Sequence, residues 1–136
     1  MRTANLFVLL ALAPLVSSAT SPKPLTEQKA TDFGYSSPEE ALTALRAKPG
    51  VTIREENDWY VVSDPKGQAI WSITTPSNPV HPSGVKRAFV ELNGTLYIRM
   101  SVNCGSSKEK CDDLVRAFQE LNAQVQEKMR SQAKSP

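Results

Sequence analysis

Residues 95–130 read TLYIRMSVNCGSSKEKCDDLVRAFQELNAQVQEKMR, and a change of period inside this stretch decides the fold. From Thr95 to Cys104 the side chains alternate. Leu96, Ile98, Met100 and Val102 point one way, and Tyr97, Arg99, Ser101 and Asn103 point the other. That is the period of a half-buried β-strand. After a short polar loop the period becomes helical, with Leu114, Val115, Phe118, Leu121, Val125 and Met129 on one stripe of a helix expected over 108–130. Ser106 and Glu109 are spaced as a capping box for its start. A strand with one apolar face, followed at once by a helix with one apolar stripe, predicts that the helix folds back across the sheet.

Further strands are expected over 51–55, 59–64, 68–75 and 85–91, each rich in β-branched or aromatic residues and bounded by turn residues. Asp64-Pro65-Lys66-Gly67 suits a type I turn. A three-residue loop there sets Asp64 opposite Gln68 and gathers Trp59, Val61, Trp71 and Ile73 on one face. The same loop length at Leu92-Asn93-Gly94 sets Glu91 opposite Thr95. A two-residue Asn-Gly loop is the poorer expectation, because it mixes the two faces. On the N-terminal side, Ser37-Pro38-Glu39-Glu40 is a helix start, Ala41, Leu42 and Leu45 are its apolar stripe, and Pro49-Gly50 is its stop. The expected fold class is α+β. It is an antiparallel β-meander of about five strands, flanked by a short N-terminal helix and a long C-terminal helix packed on the sheet.

The start of the chain points to export. Arg2 precedes an apolar run from Leu6 to Ala13, Pro14 ends that run, and Ser17 and Ala19 supply small residues before a cut after Ala19. The apolar core is about half the roughly 20 residues a spanning helix needs. The domain plan is a cleaved signal peptide over 1–19, a flexible lead-in over 20–35, a single α+β domain over 36–130 and a polar tail over 131–136. The expected location is the periplasm or the secreted medium. A net charge of +2 gives no nucleic-acid footprint.

Candidate chemistry is sparse. Cys104 and Cys111 are the only cysteines, and in an exported chain a structural disulfide is the expectation. Their six-residue spacer GSSKEK does not fit a redox CxxC pair. With one histidine, His81, the chain falls short of a four-ligand zinc site. His81 lies in a proline-rich loop over 76–84, which is expected to cross between two parts of the sheet. No nucleophile elbow accompanies it. Glu55-Glu56 and Asp112-Asp113 have plain structural explanations. Asn93-Gly94-Thr95 matches a glycosylation acceptor, but Asn-Gly is also what a hairpin turn needs. No catalytic residue, cofactor or metal is expected.

The least ordinary feature is the polar face of the last hairpin. With Glu91 opposite Thr95, Phe89 faces Tyr97 and Arg87 faces Arg99. Facing like charges destabilise a sheet unless something offsets them. Arginine beside aromatic rings is also the composition of interaction hot spots. Arg87, Arg99, Phe89 and Tyr97, with His81 as a second place to look, are therefore the candidate binding residues. Their expected partner is an envelope protein or an anionic ligand.

From Ser37 to Met129 the chain resembles small exported proteins of Gram-negative bacteria, on SPEEALTALRAKPGV, the DPKG turn, the NPVHP loop and the CGSSKEKC pair. The resemblance implies a periplasmic setting and carries over no active-site residue. The functional expectation is a binding or protein-interaction module, with an inhibitor or immunity-type protein as its narrower form. The alternative is a small periplasmic hydrolase built on the His81 loop.

Overall fold

The computed structural model describes residues 32–135, so the expected signal peptide and most of the lead-in lie outside the described residues. In chain order come α1 (Pro38–Ala47), β1 (Thr52–Glu56), β2 (Trp59–Asp64), β3 (Ala69–Thr74), β4 (Ser83–Leu92), β5 (Thr95–Cys104) and α2 (Lys108–Ala133). The strands form one antiparallel sheet in the order β1-β2-β3-β4-β5, and α2 lies along β5. The fold is the expected α+β meander. The 76–84 loop is not a crossover, however, because β3 and β4 are direct neighbours.

Local chemistry sets the helix starts. Ser37 Oγ accepts the Glu40 amide at 3.1 Å, and Pro38 fills the first helical position. The Glu40 carboxylate accepts from the Ser36 amide at 3.0 Å, which closes the cap from the other side. In α2 the cap is Ser107, which accepts from the Lys110 amide, and not Ser106.

Both expected registers are off by one residue, each for a stated reason. Gln68 has φ +49°, a left-handed turn conformation, so it belongs to the loop and Asp64 pairs with Ala69. Gly67 is needed for room instead: a Cβ there would collide with the buried Asp64 carboxylate. At the last hairpin, Asn93 (φ +52°) and Gly94 (φ +78°) are both left-handed. That is a two-residue type I′ turn, whose twist matches the strands, and it pairs Leu92 with Thr95. The mixing of faces is visible at this end of the sheet, where Val90 and Leu92 share a face with Tyr97 and Arg99, and Leu92 and Tyr97 are exposed.

On the first face, Tyr60, Val62, Ala69, Trp71 and Ile73 meet α1 through Ala41, Leu42 and Leu45. Phe33 and Tyr35 complete this core. Phe33 is fully buried and meets Trp71 edge-on, with ring centroids 5.1 Å apart. The folded domain thus takes in two aromatics that the sequence reading placed in the lead-in. On the second face, Leu96, Ile98, Met100 and Val102 turn toward α2 together with Val85, Arg87 and Phe89. Trp59 and Val61 lie on this second face, apart from Trp71 and Ile73. The Cys104–Cys111 disulfide ties the end of β5 to the first turn of α2, with Cα atoms 5.8 Å apart.

Candidate functional site

The observed register breaks up the expected quartet. Arg87 pairs with Met100 and Arg99 with Ala88, so the two guanidiniums lie on opposite faces. Phe89 pairs with Ile98 and Tyr97 with Val90. Arg87 and Phe89 therefore share the α2 face, while Tyr97 and Arg99 are exposed on the other. The repulsion between facing arginines does not arise.

A different group forms around Arg87. Its guanidinium lies over the Phe118 ring at 5.6 Å, and Phe118 meets Trp59 edge-on at 5.7 Å. Trp59, Val61 and Ile70 are half-buried on the sheet beside α2. Leu121, one turn along α2 from Phe118, is 40% exposed. Arg87 Nε is buried without a hydrogen-bond partner, and among the described residues no ion pair includes Arg87. Burial pulls this guanidinium below the ordinary arginine value. The result is a cation on an aromatic shelf, desolvated on one side and unmatched by a carboxylate. A guanidinium in that position is ready to bond both oxygens of a carboxylate brought from outside. The sequence signal that would have exposed this group is the Asn93-Gly94 pair read as a two-residue turn.

His81 has a separate setting. The loop after β3 is fixed by the Asp58 carbonyl, which accepts from Thr75 N at 3.0 Å, Thr75 Oγ1 at 3.2 Å and Asn78 Nδ2 at 3.0 Å. His81 is exposed and joins a cleft of about 320 Å³ with Glu39, Leu42, Arg46, Tyr60 and Ile73. Thr74 Oγ1 lies 3.1 Å from His81 Nδ1, the spacing of a nucleophile and its base. That hydroxyl is already engaged: it donates to Ser83 O at 3.1 Å and accepts the Ser83 amide at 2.9 Å. Its single proton is spent, so the arrangement that satisfies all three contacts has Nδ1–H donating to Oγ1. Thr74 is also 3% exposed, out of a substrate's reach. The contact anchors the imidazole and does not activate Thr74. The cleft has an apolar floor with a carboxylate, a guanidinium and an imidazole around it.

Elsewhere, Asp64 is 4% exposed and holds both Lys48 Nζ at 2.5 Å and the Gly67 amide at 3.0 Å. Among the described residues no helix is long and apolar enough to cross a membrane. Comparison of the chain with protein-family models, with curated proteins and with solved structures finds no match, so the reading of its function rests on these side chains.

Proposed function

We propose that this chain is an exported binding module that engages an acidic partner in the cell envelope through Arg87 and the aromatic shelf of Trp59 and Phe118. The observation that carries the reading is the half-buried, unpaired guanidinium of Arg87 set against Phe118. A one-sided, desolvated cation beside large rings has the composition of an interface hot spot. A partner carboxylate would supply what the shelf lacks, and burial of Trp59, Ile70 and Leu121 would add apolar area. The periplasmic location rests on the N-terminal sequence, and the disulfide is compatible with it. Blocking an envelope enzyme, as an inhibitor or immunity protein does, is the narrower form of the same reading.

The test is affinity capture from envelope extract with the mature chain, its Arg87→Gln variant and its Trp59→Ala variant. The expected result is a captured partner that both variants lose and that added salt releases. The same partner held equally by all three proteins refutes the reading.

A further inference from the structure

The outer strand β5 carries few of the devices that keep sheet edges apart. It runs ten residues and pairs with β4 in unbroken register, without a bulge. It holds no proline or lysine, and Arg99 is its one charged residue. The opposite edge, β1, has five residues, of which Arg54, Glu55 and Glu56 are charged. Short charged edges resist pairing, and long uncharged ones invite it.

The phase of the ladder shows which groups are free. The two-residue turn makes Leu92 and Thr95 a hydrogen-bonded pair, so Thr95, Tyr97, Arg99, Ser101 and Asn103 direct their backbone groups at β4. The Phe89 amide, which bonds Gln68 O at 2.8 Å on the β3 side, has the phase this requires. Leu96, Ile98, Met100 and Val102 therefore turn their backbone groups outward. Gln126 Nε2 already reaches Leu96 O at 2.5 Å.

Beside this edge, a groove of about 380 Å³ runs between Ile98, Met100 and Val102 on β5 and Val115, Gln119 and Asn122 on α2. Arg116 and Glu120 are close by in sequence, yet the helix positions that line this groove are uncharged, and Arg130 and Lys134 stand only at the Leu96 end of the strand. Depletion of charge marks the centre of an interface. Asn122 Oδ1 is buried there without a partner, and its Nδ2 rests on Met100 Sδ at 3.3 Å.

We propose that the β5 edge pairs antiparallel with the β5 edge of a second copy, extending the sheet across both and setting the two α2 helices side by side. The one charge on this strand, Arg99, does not face itself in such a pairing. A two-fold axis through Met100 pairs Ile98 of one copy with Val102 of the other and sets Arg99 opposite Ser101. A ten-residue strand spans about 33 Å, and sheet plus helix layers stand about 20 Å tall, which gives roughly 650 Å² per copy. Standard stable interfaces bury about 600–1,000 Å² per partner, so this surface falls at the low end of that range. This surface lies across α2 from the Trp59 shelf, so the two associations are independent.

Sedimentation of the oxidised mature chain, from micromolar to near-millimolar concentration, tests the proposal. The expected species is a dimer. Ile98→Pro removes an outward amide that β4 does not use, and it should weaken the dimer by about tenfold or more. Gln119→Lys and Gln119→Glu should each weaken it too, by like-charge repulsion, and mixing the two should restore it. If Ile98→Pro fails to fold, the Gln119 pair decides. A monomer at every concentration overturns the proposal and leaves the edge to a strand from another protein. A dimer that the variants leave intact overturns it as well.

Discussion

Asp64→Asn keeps the shape of a buried side chain and removes its charge. The carboxylate is 4% exposed and accepts Lys48 Nζ at 2.5 Å and the Gly67 amide at 3.0 Å. Burial pushes its pKa up; the hydrogen bonds from Lys48 and Gly67, with the charges of Lys48 and Lys86, outweigh that and hold it below the usual carboxylate value. The amide retains an acceptor for Gly67 but turns a donor toward an ammonium. A charge-assisted hydrogen bond contributes about 1.5–3 kcal/mol. The Lys48 side chain is 39% exposed, and that screening lowers the expected loss to about 1–2 kcal/mol. The pH dependence gives an internal control. Because the folded pKa is depressed, the contribution is full above the unfolded value of about 3.9 and is lost as pH falls through the folded value. Asp112, also lowered, chiefly by the Lys108 hydrogen bond, is common to both proteins and cancels in the difference. Urea unfolding followed by the fluorescence of Trp59 and Trp71 should show the gap at neutral pH and see it close in acid. A gap of equal size in both conditions would show that the loss comes from shape and not from charge.

Two further outcomes follow from the core and the disulfide. Phe33→Ala should cost about 3–5 kcal/mol, and thermal unfolding should show a chain beginning at Ser36 losing at least as much; an unchanged Tm would remove Phe33 from the core. Cys104→Ala with Cys111→Ala should lower stability by about 2–3 kcal/mol in urea, with the far-ultraviolet dichroism of the sheet retained. Loss of the sheet itself would mean that the bridge specifies the fold and does more than stabilise it.

The order and type of the elements were legible because each has an unambiguous local period or punctuation. Ser37-Pro38 started α1 where expected, and the alternation from Leu96 to Val102 marked β5. The binding face was not legible, because it depends on register, and one residue of loop length moves every side chain of a strand to the other face. The turn at Asn93-Gly94 held the right answer. The expectation of a three-residue loop rests on a sheet with one apolar face, whereas α1 and α2 pack on opposite faces of this one. Phe33 and Tyr35 were missed because two aromatics after a polar, proline-bearing stretch have no period. Their burial arises only once Trp71 and Gly84 are brought beneath them: a Cβ on Gly84 would stand 2.9 Å from Phe33 Cζ.

The unequal strand lengths set a hierarchy of opening. β2 and β3 have six residues each, whereas β4 and β5 have ten. The last pair between β3 and β4 is Ala69 with Ala88, and Phe89 adds one bond to Gln68 O. Beyond it, Val90–Leu92 and Thr95–Tyr97 stand as a two-stranded arm, steadied by the far end of α2 through Gln126. Two strands alone are marginal in water, so this arm is the first part of the sheet to open. Amide exchange should run fastest there and slow sharply at Ala88 and Arg99, where β3 again backs β4. The molecule thus breathes from one end of its sheet while the end closed by the Cys104–Cys111 bridge stays shut.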